Sequence, residues 1–211
     1  MKALRAFYKH FGHPKGFLGR VVAFRLSITN RQANEWTVSL LDLMTTDRVL
    51  EVGFGPGLAI QRVALLVPNG FVAGVDASET MLEIAQKRNA AGIAAGRAEL
   101  KLGEMAALPY GDNWFDKVFA VQVINYLPDP LRGLKESYRV TKAGGRVAIF
   151  LEPKEKFEKV KGLIEGIYTP YAAEEVVGLL RQAGFARVWF ETKKLSYGSA
   201  FGEGICTLGE K

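Results

Sequence analysis

From residue 45 onward the apolar positions change period repeatedly. Short runs of nearly continuous apolar residues alternate with stretches whose apolar positions recur three and four apart. The first pattern predicts buried strands and the second predicts amphipathic helices. "RVLEVG" (48–53) reads as a strand and "LAIQRVALLV" (58–67) as a helix, which Pro68, Asn69 and Gly70 end. "FVAGVD" (71–76) is the next strand. "SETMLEIAQKRNAAG" (78–92) is the next helix, with Ser78 as its cap and Met81, Leu82 and Ala85 turned inward. Strands follow at "AELKLG" (98–103) and "FDKVFAVQV" (115–123).

"PDPLRGLKESYRVTKAGG" (128–145) predicts a helix with Asp129 as cap, Pro130 in its first position and Gly144 at its close. "RVAIFLE" (146–152) is a fifth strand. In "TPYAAEEVVGLLRQAGF" (169–185) Thr169 caps, Pro170 starts the helix, and Glu174 and Glu175 lie in the first turn. "ARVWFETKKL" (186–195) and "FGEGICTL" (201–208) are two late strands with no helix between them. Helices between strands require parallel pairing, and continuously apolar strands require cover on both faces of a sheet. The last two strands pair antiparallel at its edge. Ahead of this region, residues 21–44 predict one or two helices, with apolar faces through Val22, Leu26, Trp36, Leu40 and Leu41.

Composition narrows the class. The chain has 211 residues, 48% hydrophobic and 24% charged, which suits one globular domain. Cys206 is the single cysteine, and His10 and His13 are the only histidines, so disulfide and metal frameworks are not expected. This points to a cytoplasmic setting. The net charge of +6 is concentrated at the start: residues 1–34 carry seven basic side chains and no acid. Three readings fit that flank: contact with an anionic membrane surface or substrate, an organellar targeting segment, or a solvated face.

The candidate chemistry lies in "VLEVGFGPG" (49–57). Gly53, Gly55 and Gly57 follow a strand and open a helix. That turn lies at the carboxyl edge of the sheet, where open α/β folds bind ligands. A dinucleotide site would need a further glycine at Leu58, and a phosphate-binding P-loop would need Gly-Lys-Ser/Thr. Neither is present. Glu51 aims a carboxylate at the turn, which disfavours a pyrophosphate and favours a cation. Asp76 closes the second strand, where an acid accepts hydrogen bonds from ribose hydroxyls. Glu104, beside Met105 and Ala106, suits an adenine. An amino-acid end, a ribose and an adenine without phosphate describe S-adenosylmethionine. Plainer readings stand beside these: Glu51 as a solvated strand end, Asp76 as a helix cap, Gln122 as a partner for main-chain groups, and Gly74 and Gly103 as packing glycines.

The chain resembles the class I S-adenosylmethionine-dependent methyltransferases, especially the small-molecule branch that includes the quinone and menaquinone biosynthesis enzymes. The resemblance runs through "VLEVGFGPG" (49–57), "VAGVDAS" (72–78), "MLEIAQKR" (81–88), "LGEMAALPYGDNWFDKVFAVQVINYLPDP" (102–130), "KAGGRVAIF" (142–150) and "LLRQAGF" (179–185). It implies a Rossmann-like, doubly wound α/β sheet of seven strands, order 3-2-1-4-5-7-6, with strand 7 antiparallel. It implies an N-terminal helical lid over residues 1–44 and a catalytic domain over 45–211. It places Glu51, Gly53, Gly55 and Gly57 at the methionine end, with Phe54 narrowing the pocket. It places Asp76 at the ribose, Ala77 and Met81 beside the adenosine, Glu104 and Met105 at the adenine, and Gln122 under the methionine. The family usually carries aspartate where this chain has Glu104.

For the acceptor, the resemblance nominates His10 and Tyr8 in the lid, with Phe7 and Phe11. It also nominates Asn125 and Tyr126 after the fourth strand, and Tyr168 in the short insert 153–170. His10 and His13 equally suit a surface turn before Pro14. The expected activity is methyl transfer to a small, apolar or lipid-like acceptor by a monomer or homodimer. Nucleic acid is not expected as a partner: the basic segment is short, and "VQVINYLPDP" lacks the Asn/Asp-Pro-Pro-Tyr/Phe signature. A catalytically silent cofactor-binding subunit and an NAD-dependent oxidoreductase are the alternatives.

Overall fold

The computed structural model describes residues 29–197 and 200–211. Its centre is a seven-stranded sheet. The strands are β1 (Arg48–Val52), β2 (Phe71–Asp76), β3 (Ala98–Leu102), β4 (Phe115–Val121), β5 (Thr141–Leu151), β6 (Arg187–Tyr197) and β7 (Ala200–Glu210). They run in the order β3-β2-β1-β4-β5-β7-β6. Pairing is parallel from β3 through β5 and antiparallel on both sides of β7. The expected order and the single reversed strand are therefore present. Helices α1 (Arg31–Ser39), α2 (Leu58–Leu66), α3 (Glu79–Arg88), α4 (Ala90–Ala94), α5 (Pro130–Val140), α6 (Lys161–Ile164) and α7 (Ala173–Ala183) complete the described elements, with two 3-10 turns.

The continuously apolar strands are explained by two cores. Successive strand side chains point to opposite faces. Val49, Phe119, Val121, Ala148 and Phe150 meet Trp36 of α1, Ile60 and Val63 of α2 and Met81 of α3. Leu50, Val52, Val118, Ala120, Val147 and Ile149 meet Leu134 of α5 and Val176 and Leu180 of α7 on the other side. The Trp36 and Phe150 rings pack edge to face at 6.1 Å. Helix α1 thus belongs to the core layer, although it falls inside the segment expected as a lid. Residues 1–28 of that segment, with His10 and Tyr8, lie outside the described residues.

Local signals placed several ends correctly. Ser78 accepts from the Met81 N–H at the start of α3, and Asp129 accepts from the Arg132 N–H ahead of Pro130. Others were overridden. The helix expected over 128–145 stops at Val140, and strand pairing resumes at once with Thr141 opposite Phe115. The next pair is Lys117 with Arg146, so residues 142–145 bulge outward. Helix α7 starts three residues after Pro170, because both main-chain groups of Thr169 are held by Asn125. Glu175 caps α7 instead, accepting from the Ala172 N–H at 2.6 Å. The single helix expected over 78–92 divides at Asn89.

The turn between β1 and α2 explains its glycines. Gly53, Gly55 and Gly57 have φ of +72°, +50° and +74°. Side chains avoid that left-handed region. Gly57 also has no room: a Cβ there would lie 2.7 Å from both Ala85 Cβ and Asn89 Nδ2. Helix α3 fastens the turn further. Arg88 donates to the Pro56 carbonyl at 2.7 Å, and Asn89 donates to the Gly57 carbonyl at 3.0 Å. Gly57→Ala combines a left-handed backbone with overpacking, and should destabilise the protein by about 2–4 kcal/mol. Urea unfolding checks this against Gly111→Ala, where a Cβ meets nothing within 4 Å.

Candidate active site

A cavity of about 500 Å³ opens at the carboxyl edge of the sheet, between the ends of β1, β2 and β4. This falls within the roughly 300–1,000 Å³ typical of small-molecule sites. Glu51, Gly53, Phe54, Gly55, Asp76, Ala77, Met81, Glu104, Met105, Gln122 and Tyr126 all line it. These include every expected cofactor residue except Gly57. Gly57 instead forms the N-cap of α2 and packs against α3.

Glu51 sits on the core face of β1 with 2% of its surface exposed. Its Oε2 has no hydrogen-bond partner. Burial pushes its pKa well above the usual carboxylate range, the Asp76 charge adds to the shift, and a bond from the Ile60 main chain opposes it. Asp76 sits across the turn. Its Oδ2 accepts from the Gly55 N–H at 2.8 Å and its Oδ1 from the Ser78 N–H at 2.9 Å. The remaining glycine N–H groups are engaged as well: Gly53 donates to Val75 O at 2.7 Å and Gly57 to Phe54 O at 2.9 Å. The turn therefore presents acids to the cavity and keeps its glycine N–H groups for itself. A phosphate needs the opposite arrangement.

Gly55 is the open point of the turn, since a Cβ there would meet nothing within 4 Å. Phe54 was expected to narrow the pocket. Its side chain is nearly fully buried, and its Cδ1 lies 2.6 Å from where a Cβ on Gly74 would stand. The absent side chain at Gly74 gives that ring its place in the core, while Phe54 also borders the cavity. Gly74 is a packing glycine, whereas Gly103 borders the cavity. Met105 is buried against Gly133 of α5, and Glu104 is exposed at the rim.

The end of β4 carries a second group. Gln122 has φ of +59°, and its N–H donates to Phe150 O at 3.0 Å. Its Oε1 accepts from the Tyr168 hydroxyl at 3.1 Å. Tyr168 packs on Tyr126 and Phe157, at centroid distances of 5.1 and 4.7 Å. Tyr168 does not line the cavity itself and reaches it through Gln122. Asn125 was expected at the acceptor. It is instead 1% exposed and turned inward, donating to Thr169 O at 2.9 Å as a strut for the segment that carries Tyr168. Asn30, Asn34, Leu127 and Arg132 also line the cavity and were not anticipated. Asn30 and Asn34 are four apart, a spacing that puts both on one face of a helix.

A doubly wound sheet with a glycine turn, paired acids and no phosphate cradle suits the class of proteins that bind a cationic, phosphate-free ligand. Comparisons with known proteins agree. The methyltransferase-domain family profile matches residues 50–149. The chain is 31% identical over 135 residues to the uncharacterized methyltransferase YdaC of Bacillus subtilis, covering 64% of this chain and 72% of that protein. It is 30% identical over 169 residues to the ubiquinone/menaquinone biosynthesis C-methyltransferase UbiE of Geotalea daltonii, covering 74% and 71%. Among solved structures, a methyltransferase of Thermotoga maritima superposes with a TM-score of 0.69 at 24% identity over 99% of both chains. The chain belongs to the class I S-adenosylmethionine-dependent methyltransferases, in the quinone-methyltransferase-like branch. It is a methyltransferase, and its cofactor is S-adenosylmethionine. The unpartnered Glu51 oxygen and the open face of Gly55 are features that such a cofactor fits.

The raised pKa of Glu51 makes stability depend on pH. Below the ordinary carboxylate value, Glu51 is protonated in both the folded and unfolded states. As pH rises through that value the unfolded chain ionises first, so the cofactor-free fold loses stability up to the raised pKa. Glu51→Gln should remove this loss. At pH 8 the cofactor-free variant should melt above the wild type, by about 2–4 °C for each kcal/mol relieved, and the two should converge near pH 4. Thermal unfolding across that range measures the effect.

Proposed function

We propose that the protein transfers the methyl group of S-adenosylmethionine to a small, apolar or lipid-like acceptor. Glu51 receives the cofactor's ammonium, Asp76 takes the ribose hydroxyls, Ala77 and Met81 flank the adenosine, and Glu104 with Met105 borders the adenine. The observation that carries this reading is the buried carboxylate of Glu51, an oxygen of which lacks a partner at the floor of the cavity. Such a group is costly unless a donor or cation completes it. Asp76 accepts from the N–H groups of Gly55 and Ser78 and lines the cavity at the end of β2, the position where an acid in such folds meets ribose hydroxyls.

Support for a small acceptor comes from the wall beyond Gln122. Val123, Tyr126 and Leu127 give that end an apolar, aromatic character. The named activities of relatives agree in type: besides the Geotalea enzyme, a demethylmenaquinone methyltransferase of Symbiobacterium thermophilum is 40% identical over 114 residues. That stretch covers 54% of this chain and 45% of that protein. The methyl of a sulfonium is electrophilic, so this chain's contribution is to hold a nucleophile in line with it, where positioning supplies much of the rate. Tyr126 is the described aromatic best placed to stack on such an acceptor.

Asp76→Ala should weaken S-adenosylhomocysteine binding at least about tenfold, the equivalent of ~1.4 kcal/mol. Titration calorimetry measures it, with NAD as the comparison ligand. Wild-type affinity in the variant, or tighter binding of NAD than of S-adenosylhomocysteine, would overturn the reading. Incubation with methyl-labelled cofactor and a panel of quinols and phenols tests the acceptor class by product mass.

A further inference from the structure

The two edges of the sheet are built differently. β3 is five residues long, and its opposite charges close on each other: Lys101 reaches Glu99 at 2.9 Å. β6 is eleven residues long and pairs only with β7 among the described residues. From Phe190 to Lys194 every residue of β6 is exposed. Glu191 and Lys193 make no ion pair or hydrogen bond among the described residues. They lie two apart, so both side chains leave the same face of the strand, that of Trp189 and Leu195. Successive main-chain N–H and C=O groups alternate between the two sides of a strand. The Ser196 N–H turns away from β7 and donates to Gln32 Oε1 at 2.7 Å. The main chains of Phe190, Thr192 and Lys194 therefore face outward as well, with no neighbouring strand among the described residues. An open edge of this kind is a template for another strand.

Lysines on an edge strand ordinarily discourage pairing. Here their spacing from Glu191 selects a partner instead. A strand that carries an acid and a base two residues apart is complementary to itself. Turned antiparallel about the residue between them, each charge meets its opposite. We propose that β6 pairs antiparallel with β6 of a second copy of this chain, with the two-fold axis at Thr192. Glu191 then faces Lys193 of the second copy, twice over, in the pairs whose side chains stand closest. Phe190 faces Lys194 of the second copy, whose alkyl stem covers the exposed ring. Other centres match less well. Centring on Glu191, Lys193 or Lys194 sets like charges against each other. Centring on Phe190 sets Lys193 against Arg187. Centring on Trp189 uses Arg187, which Glu210 already holds at 3.4 Å. Nothing in this pairing depends on how the cofactor lies.

Sedimentation velocity at rising protein concentration tests this. Wild type should pass from monomer to dimer, and added salt should weaken the dimer. Lys193→Glu and Glu191→Lys each place like charges in both contacts, and each should weaken self-association by about tenfold or more. An equal mixture of the two variants restores both attractions, and should form a heterodimer about as tightly as wild type. Damage to the fold would not be mended by mixing. Thr192→Cys should give a disulfide-linked dimer under mild oxidation, since hydrogen-bonded antiparallel partners stand about 5.5 Å apart at Cα, within disulfide reach. The native thiol does not compete: Cys206 is buried, and burial pushes its pKa up to about 12. A wild type that stays monomeric overturns the pairing. So does a Lys193→Glu variant that still dimerises, a mixture that fails to dimerise, or a Thr192→Cys variant that forms no linked dimer.

Discussion

The structure depends on a turn that folds only by keeping its hydrogen bonds to itself. Between β1 and α2 the chain takes three left-handed residues in five positions. It is held from β2 by Val75 O and the Asp76 carboxylate, and from α3 by Arg88 and Asn89. Each attachment has a consequence for the ligand. Because the Asp76 carboxylate is bonded to the turn, the acid that closes β2 at the cavity also shapes the loop beside it. Because α3 holds the turn from behind, the main chain at Gly55 faces open space and can be approached closely.

The electrostatics follow from that geometry. A phosphate-binding turn aims unspent N–H groups outward. This one spends its glycine N–H groups inward and exposes acids. Burial raises the cost of ionising Glu51, and the neighbouring Asp76 adds to it. A ligand that brings a positive charge relieves that cost. Selection of a sulfonium amino acid nucleoside over a dinucleotide therefore needs no pocket of special shape. It needs the sign of the charge on one strand and the direction of a few N–H groups.

How much of this was legible in the chain depends on the range of the interaction. Strand β2 was readable to its limits, and the caps at Ser78 and Asp129 were readable, because in each case the signal and its partner lie within a few residues. That Glu51, Asp76 and Glu104 share one cavity was readable because each lies at or near the carboxyl end of a strand. Thr169-Pro170 gave a strong local start signal for α7 and was overruled by Asn125, 44 residues away. The same pairing turned Asn125 from an apparent cavity residue into a strut. The bulge at 142–145 follows from the register between β4 and β5, which no local pattern encodes. The place of the Phe54 ring depends on the missing side chain of Gly74 on the neighbouring strand, which no local pattern shows. Asn30 and Asn34 had a visible helical spacing, but nothing in it says which way the face points.

The division of labour within the fold bears on specificity. The adenosine side is built from strand ends and the turn, whose positions are set by the sheet and the two cores. The far side is built from the residues after β4, the segment around Tyr168 and the face of α1, joined by side-chain contacts: Asn125 to Thr169, Tyr168 to Gln122, Tyr126 to Tyr168. A scaffold of this kind can keep one cofactor fixed while the opposite wall is rebuilt for a new acceptor. Gln122 stands at the seam, since its N–H is bonded to Phe150 of the sheet and its side chain to Tyr168 of the opposite wall. A change in that wall therefore reaches the sheet end of the cavity through the one side chain bonded to both.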